Sequence, residues 1–447
     1  MEIQIPAEPM ALMQRLNRGG YEAYVVGGCV RDALMGTRPH DWDICTNALP
    51  EQVLDLFHDH RVAKTGLQHG TVMVVRQGVG YEITTFRTDG VYSDHRHPDQ
   101  VSFVPSLDQD LARRDFTVNA MAYHPDTGVV DLFGGREDLK QGVIRCVGQA
   151  EERFEEDGLR LMRALRFASR FGFRLEEDTA SAIHRRLELL DSIAAERIFS
   201  ELKGFLCGKG VEALLVDYRD VFARILPQLA PMFDFPQQNP HHCFDVWRHT
   251  ARAVRETPAQ PALRIAALFH DSGKPECWSR DGQGIDHFYG HAQRSVELSR
   301  DMLNRLRCDN ETKEQVLLQV KWHDLPLPQT RREAARLLNR MGEQGAQWSV
   351  ALHRADALAQ SPAFLAEKLE RVELAKALLE ELLREKACFT LKDLAIGGSD
   401  LIALGVPKGP QVGKTLKHLL ELVMDGACPN QREALLERCR QEGINKA

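Results

Sequence analysis

The chain changes texture once, near residue 150, and no other feature limits its fold so strongly. Before that point strand and helix signals alternate. Tyr24-Val25-Val26 is a short apolar run ending in Gly27-Gly28, and Cys29 to Met35 reads as the start of a helix. Thr71 to Arg76 and Tyr81 to Phe86 are β-branched runs separated by Gly78 and Gly80, the pattern of an antiparallel pair, and Val101 to Val104 is a further strand candidate. Beyond residue 150 the period becomes helical over Glu151–Ser169, Asp178–Asp191 and Ala194–Leu206. Nearly everything that follows keeps it, with breaks at Pro227, Pro231 and the Pro236 to Pro240 segment; Leu365 to Glu385 is a charged, Leu-rich amphipathic helix. This layout predicts a mixed α+β head followed by an all-α remainder. At 447 residues the chain has room for about three domains.

Charge narrows the function classes. Lys and Arg total 57 against 64 Asp and Glu, a formal net charge of -7, which argues against a uniformly basic nucleic-acid coat but leaves room for a local basic surface. The ten cysteines form no C-x-x-C pair, as expected of free thiols in a reducing compartment. The N-terminus MEIQIPAEPM has neither the basic nor the apolar stretch of a leader, and there is no 18-residue apolar run, so a cytoplasmic protein that spans no membrane is expected.

Chemistry concentrates first around Gly27-Gly28-Cys29-Val30-Arg31-Asp32 and Asp41-Trp42-Asp43. A glycine turn between a strand and a helix lets backbone N–H groups approach a phosphate chain, and Arg31 adds a charge-assisted contact. If Asp41 and Asp43 lie on a strand they share a face, and two carboxylates beside a phosphate cradle repel each other unless a cation sits between them. Mg²⁺ favours such sites, built from one or two carboxylates and substrate phosphates. Glu82 offers a third acid on a candidate neighbouring strand.

These residues resemble the nucleotidyltransferase superfamily of DNA polymerase β type, in which G-G-x-x-R-D is followed by D-x-D. The nearer resemblance is to class II tRNA nucleotidyltransferases, the CCA-adding enzymes, and to their relatives the bacterial poly(A) polymerases. Arg113-Arg114-Asp115-Phe116-Thr117-Val118-Asn119-Ala120 is similar to the family's ribose-reading block, and Asp131 to Leu139 to its head–neck connection. The resemblance implies a nucleotide site that includes Gly28, Arg31 and Arg114.

Glu156-Asp157-Gly158-Leu159-Arg160 resembles the family's E-D-x-x-R block. Asp157 and Arg160 are i and i+3 on a helix, so they are surface neighbours. A carboxylate only accepts hydrogen bonds and a guanidinium only donates. Cytosine and adenine each present an amino donor beside a ring-nitrogen acceptor, whereas uracil and guanine turn a carbonyl toward the carboxylate. One Asp–Arg pair can therefore take C and A and reject U and G, and the resemblance implies that role. Arg163 and Arg166 continue the spacing; at 100° per residue Arg163 borders the Asp157–Arg160 face and Arg166 lies nearly opposite Asp157. In the family both belong to the nucleotide site. The polar stretch from Arg87 to Pro98 has the length of the loop that helps full CCA-adding enzymes switch from C to A, which favours complete CCA synthesis.

A second constellation, His249, His270-Asp271, His291, His323 and Asp356, resembles the HD phosphohydrolase superfamily. The resemblance implies that His249, His270, Asp271 and Asp356 hold one metal, that His291 and His323 extend the site or bind phosphate, and that Lys274 lies near a bound phosphate. Imidazole-rich ligands suit a transition metal. Lys408, Lys414 and Lys417 are candidates for meeting tRNA phosphates.

The expected organisation is a nucleotidyltransferase head at 1–145, a helical neck at 146–235, an HD domain at 236–360 and a helical body and tail at 361–447. The expected function is template-independent addition of the 3′-terminal CCA to tRNA from CTP and ATP, with Mg²⁺ on Asp41 and Asp43, and with phosphohydrolase activity in the HD domain. Alternatives are poly(A) synthesis, addition of CC or A alone, a nucleotide-responsive HD phosphohydrolase with a non-catalytic head, and a tRNA-binding chaperone.

Overall fold

The computed structural model describes residues 2–63, 66–89 and 101–443. The loop expected at 87–98 lies, from Gly90 on, outside the described residues. The chain divides into two compact units, one ending at Ala230 and one starting at Pro231.

The first unit opens with helix α1 (Ala7–Arg18) and a seven-stranded sheet. Its strands are β1 (Ala23–Val26), β2 (Ile44–Thr46), β3 (Arg61–Ala63), β4 (Thr71–Arg76), β5 (Val79–Thr85), β6 (Met121–His124) and β7 (Gly128–Asp131), in the spatial order β3-β4-β5-β2-β1-β6-β7. Among the described residues of this sheet only the β2–β5 pairing is parallel, Ile44 lying opposite Ile83. The expected hairpin forms with Val72 opposite Ile83, turning at Gln77 and Gly78, both with positive φ. Val101–Phe103 pairs with Arg87–Asp89.

Alternation puts the sheet between two apolar layers. Val25, Ile44, Val72 and Ile83 pack with Leu12, Met13 and Leu16 of α1, and Val26, Cys45 and Ala122 pack with Phe86, Leu107 and Leu111 on the other face. Helix α2 (Gly28–Leu34) follows β1. The helices expected after 150 are present, with one interruption. Ala150–Glu156 ends at Asp157, whose φ and ψ are -140° and 103°, and helix α3 (Leu159–Phe171) starts anew after Gly158. Helix α4 (Ala195–Leu206) packs along α3.

The second unit is built of helices and two very short strands. Those that carry its polar centre are α5 (Val246–Glu256), α6 (Pro261–Phe269), α7 (His291–Arg305), α8 (Asn310–Trp322), α9 (Arg331–Leu358) and α10 (Leu365–Arg384). Packing of α9 on α10 buries Leu338, Val350, Val372 and Leu379. No helix among the described residues is long and apolar enough to cross a membrane.

Candidate functional site: a carboxylate-rimmed cavity and a histidine–aspartate centre

Gly27 ends β1 with φ 77° and ψ -125°, and a Cβ there would meet Arg114 Nη1 at 2.8 Å. The turn thus needs glycine at Gly27 rather than at Gly28. α2 has only seven residues, so its dipole is small and the positive charge facing a ligand comes mainly from side chains.

Asp41 and Asp43 sit on the extended lead-in to β2 rather than on the strand itself. The alternation still holds, because the Asp43 carbonyl accepts from Val26 N–H and Trp42 turns into the core, leaving both carboxylates on the opposite face. Glu82 precedes Ile83 as Asp43 precedes Ile44, which brings Glu82 beside Asp43 across the parallel pair. Burial pushes the Asp43 carboxyl up to about 6, and Asp41 and Glu82 add to the rise while Arg114 opposes it. The like charges meet in a single place.

Asp41 and Asp43 rim a cavity of about 650 Å³ whose other wall carries Arg31, Arg114, Arg163, Arg166 and Arg170. That volume suits a nucleotide. A relay holds the wall in place. Arg31 Nε donates to Asp32 at 2.8 Å, and its Nη1 to Asn119 Oδ1. Asn119 Nδ2 donates to Asp115 at 3.0 Å, and Arg163 Nε donates to the same carboxylate at 2.9 Å. Burial works against the charged form of Asp115, yet Arg163 and Asn119 hold it down at about 2. Arg166 pairs with Glu201 of α4 and lies 4.1 Å from the Phe167 ring centre. Both Arg163 and Arg166 line the head cavity; they share α3 with Arg160, so the break at Asp157 alters their angle to Asp157 and not to each other.

The same break separates Asp157 from Arg160. Asp157 Oδ1 accepts from Leu159 N–H at 3.0 Å, and Arg197 of α4 grips the carboxylate at 2.9 and 3.4 Å. Arg160 donates instead to Glu156 and to the carbonyls of Arg153 and Arg113. Neither Asp157 nor Arg160 lines the cavity. Sequence reasoning missed Arg197 and Arg170, and no local pattern points to either.

In the second unit the dispersed histidines converge. His249 comes from α5, His270-Asp271 from the end of α6, His291 from the start of α7, His323 from the end of α8 and Asp356 from the last turn of α9. His249 Nε2 lies 3.4 Å from Asp271 and 3.0 Å from Asp356; His270 Nε2 lies 3.2 and 3.7 Å from the same two. His291 and His323 form a second set, 3.4 and 3.7 Å from the other oxygen of Asp271 and 3.0 Å from each other. The backbone sets the tautomers: each Nδ1 donates to a carbonyl, of Ala359, Ala267, Phe288 and Val320 respectively, at 2.7 to 3.1 Å. The Nε2 lone pairs thus point at carboxylate oxygens, and the buried Nε2 atoms of His249 and His270 make no hydrogen bond. That arrangement is repulsive without a proton or a cation. Metal–ligand bonds of about 2.1 Å give polyhedron edges of about 3.0 to 3.4 Å, close to these separations, so the donor set fits a transition metal. Lys274 reaches Asp271 at 2.7 Å and Gln237 at 2.8 Å.

Three family models match successive parts of the chain. Residues 23–145 match the model of the Poly A polymerase head domain, 172–233 that of the Probable RNA and SrmB-binding site of polymerase A, and 285–439 that of tRNA nucleotidyltransferase domain 2. A CCA-adding enzyme of Limosilactobacillus reuteri is 36% identical over 98% of this chain and 96% of its own length. A CCA-adding enzyme of Lactiplantibacillus plantarum is also 36% identical, over 99% of this chain and 98% of its own. The crystal structure of the Bacillus stearothermophilus CCA-adding enzyme in complex with CTP superposes with a TM-score of 0.71 at 30% identity, covering 98% of both chains. With a poly(A)-polymerase-type head, a helical remainder and relatives matched along nearly their whole length, the chain belongs to the family of CCA-adding tRNA nucleotidyltransferases.

Proposed function

We propose that the protein completes the 3′ end of tRNA, adding C, C and A in turn from CTP and ATP without a nucleic-acid template. The observation that carries this is the cavity in which Asp41 and Asp43, with Glu82 beside Asp43, face a wall of arginines. Asp41 and Asp43 are placed to hold Mg²⁺, with Glu82 adding negative potential. Mg²⁺ held there would favour the ionised primer hydroxyl and offset the charge that gathers on pyrophosphate. Arg31, Arg114, Arg163 and Arg166 receive the triphosphate and keep its α-phosphorus open to the 3′-oxygen. Asp157, oriented by Arg197, accepts from the amino group of C or A. Arg160 donates to the ring nitrogen after giving up one of its present acceptors. The reducing interior of the cell, where ten free thiols persist, is the proposed place of action.

The test is incubation with tRNA transcripts that end before CCA, with CTP alone, ATP alone and both. Two C residues and then one A are expected. An open-ended A tail on unrelated RNA would instead identify a poly(A) polymerase.

The convergence of four imidazoles and two carboxylates supports a second activity. We infer that His249, His270, Asp271 and Asp356 bind one transition-metal ion, that Asp271 with His291 and His323 can bind another, and that the centre hydrolyses phosphate esters. Such an ion would supply a hydroxide nucleophile near neutral pH. Lys274 would hold a phosphate oxygen beside it.

A further inference from the structure

Two clefts open on the histidine–aspartate centre, and their walls are unlike. One, of about 320 Å³, includes Lys274 and the aromatic pair His287 and Tyr289. The two rings stack with centres 5.3 Å apart and planes 7° apart, and Asp281 holds His287 from behind at 2.9 Å. Tyr289 is 78% exposed. A large ring left open to water beside a polar, phosphate-sized centre is a stacking surface for a flat heterocycle.

The other cleft, of about 350 Å³, is bounded by Lys368 and Arg371 of α10. Both clefts are lined by His323, Asp356 and Gln360, so the centre lies at their junction. Gln360 donates to Asp356 at 2.7 Å and accepts from the Lys368 ammonium. Among the described residues no carboxylate is in ion-pair contact with Lys368. A half-buried ammonium held by a neutral amide keeps donors for an anion. Burial pushes its pKa down while Asp356 pulls it up, which agrees with its closeness to the metal-ligand set. Neither Lys368 nor Tyr289 belongs to the histidine–aspartate pattern itself.

We propose that the Lys368–Arg371 cleft is a second anion subsite, so that the centre prefers a nucleoside phosphate carrying a further phosphate group over a monophosphate. The scissile phosphate lies at the junction, the base lies on Tyr289, and the further phosphate meets Lys368, with Arg371, which pairs with the exposed Glu367 at 2.6 Å, beside it. This rests on reading the centre as a phosphohydrolase. The further phosphate belongs either to a free nucleoside bisphosphate or to the last linkage of an RNA 3′ end, which offer the same chemistry.

Isothermal titration of the full-length, Ni²⁺-loaded protein with adenosine 3′,5′-bisphosphate and adenosine 3′-monophosphate reads the subsite, and phosphate release from both reads turnover. The nucleotide site of the head is common to parent and variants, so differences between them isolate this cleft. The parent is expected to bind the bisphosphate about tenfold more tightly, the effect of one charge-assisted contact. Lys368→Met should erase most of that preference and Lys368→Arg should retain it. Tyr289→Ala should weaken the adenosine esters about tenfold more than ribose phosphate. Equal binding of the two nucleotides by the parent, or a preference that survives Lys368→Met, overturns the subsite whether or not phosphate is released. A preference that depends on Lys368 without phosphate release under Ni²⁺, Mn²⁺ or Co²⁺ overturns the phosphohydrolase reading and upholds the subsite. An RNA with a 3′-terminal phosphate that gains more from Lys368 than the free bisphosphate identifies the RNA end as the source.

Discussion

Replacing Asp43 by Asn should make the head more stable while ending its chemistry. The Asp43 carboxyl is pushed from 3.8 up to about 6, by burial first and then by Asp41 and Glu82. Between those two values the folded protein holds a proton that the unfolded chain has released. Stability from this group is therefore greatest when it is protonated, falls as pH rises through the window, and stays low above about pH 6. At about 1.4 kcal/mol per pKa unit the whole rise amounts to about 3 kcal/mol, and solvent at the open cavity mouth reduces it to about 1–2 kcal/mol. Asp43→Asn keeps the shape and removes the charge. With a chelator at pH 8, the variant's head sheet should be about 1–2 kcal/mol more resistant to urea, read by hydrogen-exchange mass spectrometry on peptides spanning β1 and β2. The margin should shrink to less than about half at pH 4.5. Mg²⁺ with CTP should stabilise the parent more than the variant, and the variant should incorporate neither CMP nor AMP. A variant no more stable than the parent at pH 8, or one whose advantage is undiminished at pH 4.5, would refute crowding of like charge as the cause.

Asp157→Ala should relax selection against UTP and GTP by about 1–3 kcal/mol, measured as the ratio of kcat/KM values; full retention of C and A selectivity would place base reading elsewhere. Arg163→Met should lower stability near neutral pH by about 2 kcal/mol, because Asp115 stays buried without its cation. Asp115 is held near 2, below its ordinary value, so its contribution is present above about pH 4 and is lost as pH falls toward 2; the gap between parent and Arg163→Met should close over that range. His270→Ala combined with Asp271→Ala should abolish transition-metal binding, measured by metal content after dialysis, and spare CCA addition. Loss of CCA addition in a folded double variant would show that the two centres are coupled.

What could be read beforehand follows from the range of the interaction that governs each feature. The hairpin of β4 and β5 and the shared face of Asp41 and Asp43 are local: alternation and one glycine turn decide them. The end of the helix at Asp157 was hidden because Gly158 falls within an otherwise unbroken helical period, and one glycine costs a helix only about 1 kcal/mol. The break removes Asp157 as a reference for angles along α3, while the angles among Arg160, Arg163 and Arg166, all within α3, stand. The histidine–aspartate centre was legible as an ordered set of residue types. Lys368, Gln360 and Tyr289 were not, because a lone lysine, glutamine or tyrosine is ordinary until packing brings it to a cavity wall. Arg197 is 40 residues from the carboxylate it orients, and no local pattern reports such a contact.

The chain of contacts that supports the arginine wall also has a direction. From Asp32 to Arg163 its members run anion, cation, amide, anion, cation, and Asn119 is the sole neutral link. An amide accepts at one tip and donates at the other, so it can stand between a guanidinium and a carboxylate and satisfy both. Aspartate in its place would face Asp115 with a second negative charge, and leucine would take one partner from each neighbour, leaving Arg31 on Asp32 and Asp115 on Arg163. Position 119 therefore needs a side chain that accepts from Arg31 and donates to Asp115 at once, while Arg31 and Arg163 are tied to the cavity they line. Drift at the ends of this chain of contacts is limited by the cavity, and drift at its centre by the need for an amide.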